Sequence, residues 1–299
     1  MSAAKPDQPL AEPPHRPTLR FWGVRGSIPC PGPATVRYGG NTSCVSLESP
    51  DGSLLILDAG TGLRILGSVL RDRPRPTRAD LLLSHVHWDH IHGLPFFFPL
   101  YQEGTAVRIL GPGQPRGLRN LLEHQMTWEM FPIPASAQVG IQEVIELDGG
   151  AFSAGGCEVR GFRLCHPGVT LGYRILPQGV KPVAYITDNE LAGGHHGVGS
   201  GWRNDLVDFL QGVDTLIHDA TWSDDHPVPV AGWGHSTTRE CVELARDIGC
   251  RCLVLFHHNP DHDDAAMDRL VDRAKALADA IAPGLAVVAA IEGHTLALE

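Results

Sequence analysis

The sequence predicts an α+β domain built in layers, with polar groups gathered where strands end. Three observations carry that expectation. Short apolar runs alternate along the chain with segments of helical periodicity. Asp58, His85, His166, Asp188, Asp219 and His257 each follow an apolar run directly or within a residue or so, and strand ends are where an αβ scaffold presents functional groups. No repeat of solenoid period and no low-complexity linker divides the 299 residues, so one layered domain is more economical than a tandem of two.

The elements follow in order. The amino end, MSAAKPDQPLAEPPHRPT, reads as a flexible Pro-rich tail over residues 1–18, and residues 19–299 as the folded domain. The tail carries no basic segment followed by an apolar run, and no stretch approaches the roughly 18 apolar residues of a membrane span. LRFWGV, SCVSLES and SLLILDAG read as strands separated by Gly, Pro and Asp turns. Leu63, Leu66 and Leu70 have helical spacing and place a helix over residues 63–73. ADLLLSH is then a buried strand that delivers a histidine cluster at its carboxyl end. Further strands are expected at VRILGP, CEVRGFRLCH, LGYRIL, PVAYITDNE, DTLIHDATW and CRCLVLFHH, with helices near 116–125, 202–211, 237–248 and 263–281.

Composition narrows the function. Lys and Arg total 24 against 34 Asp and Glu, a net charge of −10, whereas a protein that grips nucleic-acid backbones needs a basic face. The 7 cysteines are odd in number and form no C-x-x-C pair, which argues against a disulfide framework or a zinc knuckle and for reduced, buried thiols in a cytoplasmic protein.

Residues 84–93, SHVHWDHIHG, concentrate metal-binding chemistry. In an extended turn alternate residues point the same way, so His85 and His87 can hold one cation while Asp89 and His90 face a second beside it. Zinc suits this mixture of imidazole and carboxylate, and manganese or iron would accept it too. A surface loop that happens to be rich in histidine would not explain why the ligand types follow a buried strand.

HVHWDHIHG fits the H-x-H-x-D-H pattern of the metallo-β-lactamase superfamily. LDAGTG, with Asp58, resembles that family's first motif; LCHPGVTLGYRI, with His166, the third; AYITDNE, with Asp188, the fourth; and LVLFHHNP, with His257, the fifth. The motifs occur in order, and the resemblance covers residues 19–299. It implies a four-layer αββα sandwich with two divalent metals at one edge. One metal would take His85, His87 and His166, and the other Asp89, His90 and His257. Asp188 would bridge them together with a water or hydroxide, and Asp58 would orient the ligands from behind. His257 is preferred to His258, because adjacent residues on a strand point to opposite sides.

Asp188 stands where many zinc β-lactamases have a cysteine, which counts against antibiotic hydrolysis. GWGHSTTRECVELARDIGC, with His235, and LIHDATW, with Asp219, resemble the ribonuclease Z and phosphodiesterase branch, as does FWGVRGSIPCPG with RYGGNTSC. The H-x-H-x-D-H-x-x-G pattern also resembles class II cyclic nucleotide phosphodiesterases. The resemblance therefore implies a phosphodiesterase in which water activated between the metals attacks phosphorus. Asp89, His235 and Asp219 are its expected catalytic residues, with His235 as the acid for the leaving group. The sequence contains no long basic Gly-rich arm of the kind ribonuclease Z uses on transfer RNA. A small phosphodiester such as a 3',5'-cyclic nucleotide is thus favoured over a large nucleic acid. A ribonuclease Z-like endonuclease, an ester or lactone hydrolase and a noncatalytic metal-binding domain are the alternatives; a homodimer is expected from the branch.

The remaining candidates carry less. His92, His218, His262 and His294 lie near motifs, and His195 and His196 sit in a Gly-rich loop able to brush substrate. Asn41, Thr42 and Ser43 suit a turn, and GLPFFFPLY suits a base-binding wall, a core segment or a dimer face.

Overall fold

The computed structural model describes residues 14–73, 76–225 and 230–299. Most of the expected tail, residues 1–13, therefore lies outside the described residues. Two seven-stranded sheets form the centre. The first runs, in spatial order, β14 (Thr295–Ala297), β1 (Thr18–Gly23), β2 (Cys44–Glu48), β3 (Leu54–Leu57), β4 (Arg78–Leu82), β5 (Ala106–Pro112) and β6 (Ile141–Leu147). The second runs β13 (Ala286–Ala289), β12 (Cys252–Phe256), β11 (Thr215–Asp219), β10 (Val183–Ile186), β9 (Leu171–Leu176), β8 (Cys157–Arg163) and β7 (Gly150–Ala154). Strands β3 to β6 and β10 to β13 are parallel, so their carboxyl ends within each set emerge on one edge.

The layers follow from strand periodicity. Leu55 and Leu57 of β3 face the other sheet, in a core shared with Tyr173, Val254 and Phe256. Their neighbours Leu54 and Ile56 face outward onto helices α1 (Gly62–Arg71) and α3 (Leu118–His124), through Leu63, Leu66, Leu118 and Leu122. On the second sheet Leu253 and Leu255 point the opposite way to Val254 and pack on α4 (Trp202–Leu210), α5 (Thr238–Ile248) and α6 (Asp264–Ile281). Each such leucine removed from water contributes about 1.5–3 kcal/mol, and the result is the expected αββα sandwich.

Two details bear on the site. Helix α5 opens with a capping box in which the Thr237 hydroxyl accepts from Glu240 N and the Glu240 carboxylate accepts from Thr237 N, and it ends at Gly249 in the left-handed conformation. That cap sets the point where the chain leaves the segment carrying His235. The extended turn expected through His90 stops at His87: Asp89 and His90 lie on one helical turn, α2 (Trp88–Ile91), which His87 enters with extended backbone. The chain closes up there because His90 N and His92 N bond back to the His87 and Trp88 carbonyls.

The other expected strands and helices form within a few residues of their predicted bounds. Strands β6, β7, β13 and β14 were not anticipated. No helix among the described residues is long and apolar enough to cross a membrane.

Candidate metal centre

The functional side chains reach one place because strands end there and the backbone turns sharply. Asp58 follows β3 with φ 60°, Asp188 lies just past β10 with φ 55°, and His257 follows β12 with φ 58°. A left-handed residue breaks the strand's alternation and redirects the side chain, and Asp and His tolerate this region better than most residues. His85 follows β4, α2 supplies Asp89 and His90, and His166 follows β8.

Two sets of donors converge, each with all its ligand atoms within 4.8 Å of one another: His85, His87, His166 and Asp188, and then Asp89, His90, Asp188 and His257. Asp188 belongs to both. Its Oδ2 is 3.6 Å from His85 Nε2 and 3.5 Å from His166 Nε2, while Oδ1 is 3.1 Å from both His90 Nε2 and His257 Nε2. Asp89 Oδ2 lies 3.2 Å from each of those last two nitrogens and accepts from Ser27 N at 2.8 Å.

The far side of each buried ring is tied down. His90 Nδ1 donates to Asp58 Oδ2 at 2.8 Å, and His85 Nδ1 donates to Ser84 Oγ at 3.0 Å, which in turn donates to Asp58. His166 Nδ1 donates to Gly234 O at 2.8 Å, and His257 Nδ1 to Thr221 Oγ1 at 3.0 Å. Holding Nδ1–H in this way leaves Nε2 as an inward lone pair, the arrangement of metal-binding imidazoles. The buried Nε2 atoms of His85 and His90 have no donor to bond, because with Nδ1 protonated their carboxylate neighbours are acceptors too, a costly condition that a bound cation would relieve.

Electrostatics agree with that fit. Burial, with neighbouring imidazoles adding to it, holds His85 well below the usual histidine range, and burial takes His166 down to about 4. Burial opposes charge on Asp188 and Asp89 as well, yet the surrounding imidazoles outweigh it and hold both carboxyls well below the carboxylate range. Neutral imidazole and ionised carboxylate are the forms that bind metal. At His90, burial is outweighed by Asp89, Asp188 and Asp58, which draw the ring toward its charged form. Positive charge is favoured at this spot, and a divalent cation would supply it.

His235 stands beside both donor sets, its ring 5.0 Å from that of His257 and 5.2 Å from that of His166. Its Nδ1 donates to Asp219 Oδ2 at 2.7 Å, and Asp219 is fixed by Asn189 N, Thr221 N and Thr221 Oγ1 at 3.1, 3.0 and 2.6 Å. Burial disfavours charge on His235, but Asp219 more than offsets this and raises its pKa to about 9. Thr237 caps α5, and Ser236 Oγ donates to Asn189 O, so the imidazole is not needed to start the helix.

His258 faces away, 2.9 Å from Ala290 O through Nε2, and His218 binds Asp219 O at 2.8 Å through Nδ1. His92 stacks on Trp88. Asn41 and Thr42 pair with Thr61 across the fold rather than closing a turn of their own: Thr42 N donates to Thr61 Oγ1, Thr61 N to Thr42 Oγ1 and Thr61 Oγ1 to Asn41 Oδ1. In the FFF run Phe97 is fully buried, while Phe96 and Phe98 are 52% and 44% exposed. All 7 cysteines are free, and all but Cys30 are buried.

Sequence reading assigned no role to Ser27, Thr221, Gly26, Gly234 or Glu190. Ser27 acts through its backbone N–H to Asp89, and Thr221 links Asp219 to the His257 ring. A Cβ at Gly26 would lie 2.9 Å from His257 Nε2 and closer to two other ring atoms, while one at Gly234 would lie 3.1 Å from His166 Cε1 and closer to Nδ1. Glycines inside the resembling segments were the available signal.

Imidazoles and carboxylates facing inward at the edge of an αββα sandwich define a metal-dependent hydrolase. The chain belongs to the β-lactamase superfamily: the family model described as "Beta-lactamase superfamily domain" matches residues 54–258. Among curated relatives it is similar to a ribonuclease Z of Anoxybacillus flavithermus, at 24% identity over 87% of this chain and 92% of that one. It also resembles a ribonuclease BN of Escherichia coli, at 24% over 78% and 88%. Among solved structures, the metallo-β-lactamase fold protein YhfI of Bacillus subtilis matches with TM-score 0.67 and 19% identity over 94% of this chain and 99% of that one. A diphosphatase of the PhnP family matches with TM-score 0.62 and 20% identity over 95% and 100%. At such identities these structures establish the shared fold.

Proposed function

We propose that this protein is a dinuclear metal-dependent phosphodiesterase acting on a small phosphodiester, with 3',5'-cyclic nucleotides as the substrate class. One observation carries it: the two oxygens of Asp188 each face a separate donor set, with the His235–Asp219 pair beside both. His85, His87 and His166 would hold one cation, Asp89, His90 and His257 the other, and zinc is the metal expected from the donors. When bound, the cations polarise a phosphate and make water nucleophilic at neutral pH.

The chain's own residues do the rest. Asp58, Ser84, Gly234 O and Thr221 keep the four buried ligand rings, His90, His85, His166 and His257, in one tautomer, so those donors are organised in advance. Asp219 orients His235 and favours its protonated form, and with Nδ1 engaged only Nε2 is left to give a proton to the departing alkoxide. The side chain of His235 is 12% exposed, which shields that proton from bulk water.

A second reading, cleavage of precursor transfer RNA, is favoured by the ribonuclease Z relative, which aligns over 92% of its own length. The net charge of −10 weighs against a polyanion of that size. The test is turnover by zinc-loaded protein of cyclic AMP, cyclic GMP, cyclic CMP, bis(p-nitrophenyl) phosphate, precursor transfer RNA and a homoserine lactone. Small phosphodiesters should be hydrolysed, with kcat about 10²–10⁴-fold lower in His235→Ala. RNA cleavage with inert cyclic nucleotides would establish the second reading, and turnover of the lactone alone would overturn both.

A further inference from the structure

Glu190 lies two residues past Asp188 and is only 2% exposed. Its Oε1 accepts from Gly232 N at 2.8 Å and its Oε2 from Gly234 N at 3.0 Å. From the other side, His195 Nε2 stands 3.6 Å away and His196 Nε2 3.7 Å away. The carboxylate thus joins the Gly-rich stretch after β10 to the turn that leads into α5.

That turn has two outputs. The Gly234 carbonyl holds His166 Nδ1 at 2.8 Å, and the next residue, His235, meets Asp219 at 2.7 Å. Gly232 and Gly234 both have φ 82°, a conformation that glycine adopts freely but does not enforce. Two N–H bonds to one buried carboxylate are strong, charge-assisted restraints on such a turn. There is also no slack, since a Cβ at Gly234 would come within 2.7 Å of Pro167 Cδ.

We propose that Glu190 is a positioning residue, its buried carboxylate holding the 232–235 turn so that the Gly234 carbonyl orients the His166 ring and His235 faces the metal centre. This rests on the metal-centre part of the function proposed above and not on the choice of substrate.

Glu190→Gln tests it, because the amide keeps the size but turns one acceptor into a donor that faces another N–H. Zinc affinity is measured by competition with a chromogenic chelator, the His166 Nδ1–H is followed by nitrogen-15 NMR in metal-free protein, and turnover of bis(p-nitrophenyl) phosphate and thermal melting are recorded alongside. Zinc affinity should fall about 10–100-fold, the His166 signal should shift, and the midpoint should move by less than about 5 °C. Glu190→Asp retains the charge but reaches less far, so its loss should be smaller; it carries the same test if Gln prevents folding. Unchanged zinc affinity and an unchanged His166 signal would overturn the proposal. Affinity falling only as far as melting accounts for would overturn it as well. Weakened zinc binding in a protein whose wild type turns over no phosphodiester would support it while refuting the substrate assignment.

Discussion

Replacing Gly26 by alanine should disable one half of the metal centre while leaving the fold intact. The added Cβ would lie 2.9 Å from His257 Nε2 and nearer still to Cε1 and Nδ1, whereas ordinary contact begins at 3.4 Å. The ring must therefore retreat by at least about 0.5 Å at Nε2 and by more at its near edge, which already reaches the tolerance of a preorganised site. Any such shift also disturbs the hydrogen bond of Nδ1, one of the atoms on that near edge, with Thr221 Oγ1 at 3.0 Å. A misplacement approaching 1 Å costs on the order of 10²-fold in rate, and disturbed ligand geometry about 10–100-fold in metal affinity. The backbone is not the difficulty: Gly26 is not among the glycines with positive φ, its N–H still bonds to His258 O, and loss of glycine's freedom in the unfolded chain favours folding by about 0.4–1 kcal/mol. The assay pairs zinc titration with turnover and urea denaturation. A variant of native stability that binds one zinc as before and the second about 10–100-fold more weakly is expected. Two unchanged sites would refute the placement of His257 as a ligand.

Other expectations are more compact. Asp58→Asn presents an amide to His90 Nδ1 in place of a carboxylate, and zinc affinity measured by chelator competition should drop about 10–100-fold. Phe97→Ala should lower stability by about 3–5 kcal/mol in urea, whereas Phe96→Ala and Phe98→Ala should stay within about 0.5 kcal/mol; comparable losses for all three would contradict the packing. Burial opposes charge on Asp214, but hydrogen bonds from Arg251 and Lys181 prevail and hold its carboxyl below the ordinary value. Its stabilisation is then present above the unfolded value of about 3.9 and lost as pH falls through the lower folded value. Urea midpoints of Asp214→Asn should accordingly fall less between neutral and acid pH than those of wild type, and parallel curves would exclude the effect. Dialysis against a strong chelator should abolish hydrolysis, and added zinc should restore it.

How much of this was readable before the fold was known depended on whether a feature was local. The histidine cluster lies in one short stretch after a buried strand, and Asp58, His166, Asp188 and His257 each sit beside an apolar run, so their convergence could be anticipated. Strand β6 could not, because Gln142, Glu143 and Glu146 are exposed and no clean alternation marks it. Strand β14 is three residues long and is created by pairing with β1 from the far end of the chain. Glu190 was hidden for a different reason. Its partners are backbone N–H groups, which every residue type except proline offers, so no spacing of side chains announces them.

The three left-handed corners at Asp58, Asp188 and His257 restrict the chemistry of the centre before any metal arrives. A position held at φ near 60° admits glycine, asparagine, aspartate and histidine readily and resists branched or bulky side chains. Of those four, two are good oxygen and imidazole donors, and they are the two found here. The backbone and the coordination sphere thus draw on one small vocabulary. Glutamate at 188, although its carboxylate is chemically equivalent, is doubly disfavoured, by its length and by the corner it would have to occupy. What the backbone allows at these three positions thus bounds which ligands the centre can use.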